Sequence, residues 1–231
     1  MKIKALKAFT VRNSESGDLS SIAYGAIADV SDSLGQSFIE DGLAEVYEGN
    51  MTSFGKWVQS TITRVTADML EGVNSIGDSA FLGCNSLTSI EIPNSVASIG
   101  DSAFAGCSSL TSIEMPNSVT NLGTYVFENC ESLANVKISN SVTILGTHTF
   151  DSCSSLTSLE IPNSVSEIDS AFYDCSALTS ITVLATTPPT ASYMFTNTPI
   201  SVIYVPAESV ETYKAASGWR GYASKIQAIP A

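Results

Sequence analysis

Two sets of residues in this chain have types and spacing that invite a chemical reading. Cysteines stand at positions 84, 107, 130, 153 and 175, each three residues after a phenylalanine at 81, 104, 127, 150 and 172. Thiol catalysis needs a histidine base. The chain holds one histidine, His148, in the column of Ser79, Ser102, Tyr125 and Ser170, while Cys153 falls in a column that reads as buried. Zinc is disfavoured because cysteines this far apart lack the close pairs that zinc ligands show. Neighbouring cysteines on stacked units would have parallel Cβ vectors about 4.8 Å apart, wider than the ~3.8 Å of a disulfide. The expectation is therefore buried free thiols acting as small hydrophobes.

The second set is carboxylate. Glu91, Glu114, Lys137 and Glu160 form one outward column that ends in Thr182. Glu91 and Glu114 on adjacent units would lie about 5 Å apart, near the spacing of a retaining glycosidase. An open strand face has no pocket to raise the pKa of either acid, however, and Lys137 reads as charge relief within the ladder. Asp78, Asp101, Glu128, Asp151 and Asp174 are not arranged in a ligand-rich calcium loop. The residues thus predict no catalytic centre, no metal and no cofactor.

What positions these residues is a repeat. Separations of 23, 23, 23 and 22 residues between successive cysteines indicate a stack of near-identical units. The shared pattern is V-x-x-I-G-x-x-A-F-x-x-C-x-S-L-x-x-I-x-I-P-N, over Val73–Asn94, Val96–Asn117, Val119–Asn140, Val142–Asn163 and Val165–Val183. In Leu87–Pro93, Ile90 and Ile92 alternate with Glu91, the period of a strand with one buried face. Pro93 ends that strand because it can donate no ladder hydrogen bond. V-x-x-I-G reads as a second extended stretch, and D-S-A-F as a turn of α- or 3₁₀-helix. Parallel stacking at about 4.8 Å per rung makes the Phe, Leu and Ile columns the core of a rod roughly 25–30 Å long. Phe195 continues the Phe column into a degenerate last unit, with a strand at Val202–Val205 closed by Pro206. The fifth unit lacks the Gly, which accounts for its shorter spacing.

Only 14% of the residues are charged, and the net charge is −13 with a pI near 4.2. Between Thr66 and Tyr213 the only basic residue is Lys137, so nucleic acid is a poor partner. No run of 18 apolar residues is present to span a membrane. Met1–Phe9 is interrupted by lysines and has no apolar core, so it does not read as a secretion signal and predicts a chain not exported by the general route.

The ends do not repeat. Residues 1–48 read as a β-β-α-β unit: strands at Lys2–Phe9, Ile22–Val30 and Leu43–Tyr47, and a helix at Asp32–Asp41 capped by Ser31 and stopped by Gly42. Residues 49–65 form a linker and the start of the first rung, where Trp57 and Val58 could cover it. Residues 207–231 form a cap. Its helix, Ala207–Ala216, lies between Pro206 and Gly218, with Val210, Tyr213, Trp219, Tyr222 and Ile226 facing the last rung.

The pattern I-P-x-S-V-x-x-I-G-x-x-A-F-x-x-C over residues 66–206 resembles the leucine-rich repeats of the BspA-like (Treponema pallidum-type) family. The fold expected is a leucine-rich-repeat solenoid preceded by a small α+β domain and closed by a helical cap. The resemblance implies surface recognition and adhesion, with no catalytic residues. The segment D-V-S-D-S-L…F-I-E-D-G-L-A-E-V-Y resembles small N-terminal domains in tailed-phage structural clusters. Taken together, the two predict a non-enzymatic structural or recognition protein. Its first 48 residues would dock on a larger assembly, namely a phage virion as a head decoration, while its repeats meet glycans or bacterial surface proteins. The alternative is a BspA-like bacterial cell-surface adhesin whose export signal lies outside this sequence. Tyr125, His148 and Tyr173, which interrupt columns of smaller residues, are candidate contacts, as are Glu91, Glu114, Lys137 and Glu160.

Overall fold

The computed structural model describes residues 63–70 and 72–230 and, before them, the backbone of short strands at 2–5, 9–12, 19–22, 27–29, 44–46 and 53–54. The repeats form a leucine-rich-repeat solenoid held by three tracks of inter-rung hydrogen bonds. In the first track, the V-x-x-I segments pair in parallel. Ser53–Phe54, Ser75–Ile76, Ser98–Ile99 and Asn121–Leu122 make one sheet, and Ile144–Leu145, Glu167–Asp169 and Thr190–Ser192 another. In the second, Arg64–Val65 pairs with Ser89–Ile90, and Ser112–Glu114 with Asn135–Lys137. Ser158–Ile161, Ser180–Val183, Val202–Val205 and Ile226–Ala228 continue it. Register places each residue on its counterpart: Ile99 lies between Ile76 and Leu122, and Ile181 between Leu159 and Ile203.

The third track corrects the expected turn of helix. Ser79, Phe81 and Gly83 donate backbone N–H to Asp101, Ala103 and Ala105 of the next rung, at 2.7–2.8 Å. Between them, Ala80, Leu82 and Cys84 donate to carbonyls three residues back. A helix directs every N–H along its own axis and leaves none for a neighbour. Here left-handed residues break the helix and swing alternate N–H groups along the stack. The position two before each Phe has φ between 45° and 56°, at Ser79, Ser102, Tyr125, His148, Ser170 and Tyr193. The position two after it is also left-handed, at Gly83, Gly106, Asn129, Ser152, Asp174 and Asn197.

Inside these tracks the Phe rings form one column from Phe81 to Phe195, with centroids 5.1–5.7 Å apart and planes within 14° of parallel. Beside it runs a thiol ladder. Sγ of Cys107, Cys130, Cys153 and Cys175 donates to the carbonyl of the Phe one rung back, at 3.0–3.3 Å. In the last unit Thr198 replaces Cys, and its hydroxyl donates to Phe172 in the same way. The cysteines are free and buried, as expected, but they serve as hydrogen-bond donors as well as hydrophobes.

The Gly of I-G-D has a steric cause. The Asp78 carboxylate accepts from Asp101 N at 2.9 Å, and the Asp101 carboxylate from Thr124 N at 2.7 Å. A Cβ on Gly100 would lie 2.3 Å from Asp78 Oδ1 and 2.6 Å from Asp78 N, and one on Gly123 would lie 2.6 Å from each of Asp101 Oδ1, Asp101 N and Gly100 C, so both the carboxylate and the backbone of the rung behind exclude it. At Gly146 the rung below carries Thr124 instead, and the nearest atom is 3.8 Å away. In the fifth unit Asp169 stands in the place of Gly and accepts from the hydroxyls of Thr147, Ser170 and Ser192. The Ser192 hydrogen bond, foremost, holds its carboxyl below the usual range.

The C-terminal cap is small: a 3₁₀ turn at Ala207–Ser209 and a helix at Val210–Ala215. Tyr222 meets Phe195 edge-on at 5.3 Å and ends the aromatic column. Tyr213 and Trp219 are fully buried. Tyr213 Oη donates to Ala185 O and Trp219 Nε1 to Pro189 O, both at 2.8 Å. Gly218 is left-handed, and a Cβ there would meet Ala191 O at 2.1 Å.

At the N-terminal end, the described parts of the expected strand Lys2–Phe9 have different partners. Lys2–Ala5 pairs antiparallel with both Ile27–Asp29 and Ala44–Val46, whereas Phe9–Arg12 forms a hairpin with Leu19–Ile22. Of the expected Ile22–Val30 strand, Ile22 belongs to that hairpin and Ile27–Asp29 pairs with Lys2–Ala5, so the two ends have different partners. The expected helix at Asp32–Asp41, its flanking Ser31 and Gly42, and the Trp57–Val58 cover lie outside the described residues.

Two predictions follow from the columns. Gly100→Ala and Gly123→Ala should each destabilise the fold by about 1–3 kcal/mol through overpacking, while Gly146→Ala should be neutral or slightly stabilising. Urea denaturation of the three variants checks this, and equal losses at all three would refute the steric explanation. The second concerns alkali. Burial pushes the Cys84 thiol up to about 11 and those of Cys130 and Cys175 to about 12, from an ordinary 9.0. A raised folded-state pKa means the protonated thiol is favoured by folding. That contribution is complete below pH 9 and is lost as pH rises through about 11–12. Denaturation midpoints should therefore hold steady to about pH 9 and then fall, with thiol reagents inert toward the native protein below that point. Rapid thiol labelling of folded protein at neutral pH would contradict this.

Candidate functional site

The outward face of the second strand track carries Glu91, Glu114, Lys137 and Glu160 along a shallow open trough of about 530 Å³. Register sets Glu114 beside Lys137 and Glu160 beside Thr182. Lys137 Nζ is ion-paired with Glu114, and Arg64 with Glu91 at 2.6 Å. The Glu91 and Glu114 side chains are 52% and 68% exposed. A glycosidase acid needs an apolar surround to stay protonated, and these two carboxylates are solvated and matched by cations. The arrangement relieves like-charge repulsion along a ladder, and exposed pairs of this kind contribute only about 0–1 kcal/mol each. Arg64 escaped the sequence reading because it precedes the repeat and pairs with Ser89, 25 residues on and so off the 23-residue period.

The turn track brings Tyr125, His148 and Tyr173 together. Tyr125 and His148 stack at 5.0 Å with planes 9° apart, and Tyr173 leans on His148 at 5.6 Å. Tyr125 and His148 occupy the left-handed position two before Phe, and Tyr173 directly follows Phe172. Tyr193, 80% exposed, occupies the left-handed position in the last unit and belongs to the same face. Counting back two residues from Phe195 would have found it. A bulky side chain in this conformation costs about 1–2 kcal/mol, and residues so held cluster where a surface has work to do.

His148 Nδ1 lies 2.7 Å from Asp151 Oδ2, an arrangement that could orient a catalytic base. The hydroxyl beside it, Ser152 Oγ, donates to Asp151 Oδ1 at 2.7 Å. Cys153 points inward to Phe127 O. Among the described residues no nucleophile is thus engaged with the histidine, and the thiols are held protonated by burial, the reverse of a reactive cysteine. Among the described residues no group of three His, Cys, Asp or Glu could hold a metal ion. The arrangement can present flat rings and carboxylates to a partner.

The chain matches a family model described as BspA type leucine rich repeat region in six copies over residues 74–201. No curated protein matches it. Among solved structures, the T. pallidum leucine rich repeat protein is 29% identical at a TM-score of 0.48, with 69% of this chain and 81% of that one covered. A leucine rich cell surface protein from Faecalibacterium prausnitzii A2-165 is 22% identical at 0.40, covering 74% and 64%. A leucine-rich repeat protein from Eubacterium ventriosum is 21% identical at 0.49, covering 71% and 46%. The chain thus spans less than two thirds of the length of the Faecalibacterium protein and under half of the Eubacterium one. With the model matched over more than half of its 231 residues, the chain belongs to the BspA-type leucine-rich repeat family.

Proposed function

We propose that this protein is a recognition module that works by binding, without catalysis, at a bacterial cell surface. The observation that carries the reading is the strip of Tyr125, His148, Tyr173 and Tyr193 on the turn face, where the repeat itself requires only small residues. Family membership supports the reading, since BspA-like repeats imply recognition and adhesion. The two strand tracks supply a rigid frame, and rigid frames with variable surface columns suit binding. Nothing in the comparisons supports docking on a virion. The first 48 residues, which prompted that expectation, are here proposed as a separate unit that anchors the repeats of 66–206, with 207–231 as their cap.

Labelling intact cells of the producing organism with an antibody against the repeats tests the location. The expected result is saturable surface signal removed by external protease. Signal confined to the cytosol, or to purified phage particles, would overturn it.

A further inference from the structure

We propose that the aromatic strip is the docking face for a basic polypeptide segment, one that presents arginine or lysine side chains; this rests on the recognition reading above. The strip crosses four successive rungs, from Tyr125 to Tyr193, a length of about 14 Å at the rung spacing, which suits four or five residues of extended chain. Tyr125, 37% exposed, and Tyr193, 80% exposed, offer ring faces to solvent. Cations are attracted to such faces within about 6 Å of the centroid, and tyrosine is a good host.

Charge decides which partner. Glu128 and Asp151 occupy the column that Tyr173 joins one rung on, and Asp174 follows directly. His148 is held to Asp151 through Nδ1, with Tyr125 stacked on its ring and Tyr173 tilted against it at 58°. No lysine or arginine of the repeat body balances these acids, because the one basic residue between Thr66 and Tyr213, Lys137, is paired with Glu114 on the strand face. Arg64 is likewise paired there with Glu91, and in the cap Lys214 pairs with Glu211 while Lys225 donates to Ile200 O. The aromatic face therefore sits in a negative field that, among the described residues of the repeat body, only His148 against Asp151 can offset, within a chain of net charge −13. Such a field draws cationic segments in and repels acidic glycans and nucleic acids. Neutral sugars can also stack on tyrosine, but they gain nothing from the charge.

The test uses the full chain and a fluorescein-labelled peptide of alternating arginine and glycine, with a serine–glycine peptide and a neutral hexasaccharide as comparators. Residues from other units are imported: Tyr125→Ser and His148→Ser, as at Ser79 and Ser102, and Tyr173→Ala, as at Ala105. Fluorescence anisotropy should show the arginine peptide bound, with affinity falling as salt rises from about 50 to about 300 mM. The triple variant should bind about tenfold more weakly, an effect of the size that lost cation–π contacts predict. A strand-face control, Glu91→Gln with Glu114→Gln, should change affinity less than about twofold. Single variants, including Tyr193→Ser, carry the same prediction at smaller amplitude if the triple melts early. Failure of the arginine peptide to bind, equal loss in the strand-face control, or binding of the saccharide alone would overturn the proposal. Cell-surface labelling would stand apart from such a failure, since it reads location and not ligand class.

Discussion

Each rung lies about 4.8 Å from the next, so the neighbour of almost every side chain is its own counterpart one unit away. A column tolerates only residues that can meet themselves, or that can meet a backbone group arriving at the same interval. Phenylalanine meets itself well, as an offset stack whose planes stay within 14° along the column. Cysteine meets the Phe carbonyl of the rung behind, and Asp meets a backbone N–H of the rung ahead. Glutamate cannot meet glutamate without cost, and Arg64 and Lys137 stand beside the glutamates that need them.

The breaks in the period support this account because they keep the contact while changing the residue. Thr198 does with a hydroxyl what four thiols do elsewhere. Gly is present where a Cβ would strike the Asp and the backbone of the rung behind. It gives way in the fifth unit, where Asp169 gathers hydroxyls from both neighbouring rungs. At the C-terminal end the column runs out of counterparts. Tyr222 closes the Phe stack edge-on, and Tyr213 and Trp219 donate to the carbonyls of Ala185 and Pro189.

The columns were legible from spacing alone: the Phe core, the buried cysteines, the strands ending before Pro93, Pro116 and Pro162, and the cap helix near Val210. The conformation of D-S-A-F was not. Its residues suit a helical turn and a chain of tighter turns alike, and the choice is made by N–H groups bonding to another rung, which no single unit states. The binding candidates were half legible. Tyr125 and His148 share a column and so were bound to stack, whereas Tyr173 belongs to the column of Glu128 and Asp151 and its lean across to His148 is a contact between columns. Tyr193 was obscured by the degeneracy of the last unit. Glu91, Glu114, Lys137 and Glu160 were placed correctly on one face, but the pairing of Glu91 with Arg64 required the strand that precedes the recognisable repeat.

A left-handed backbone favours glycine or asparagine, and serine, which occupies it at Ser79, Ser102 and Ser170, is small enough to carry there. Tyrosine and histidine in the same position gain little from the core, since their rings lie outside it. Stacking offsets part of the strain for Tyr125 and His148. For Tyr193, at 80% exposure, burial offers almost no compensation. Folding by itself would therefore leave this column small from end to end, as it does in the first two units. A side chain that the fold disfavours and solvent surrounds is best accounted for by a contact outside the chain. The turn face differs in this from the strand face, whose charges are balanced internally by one another.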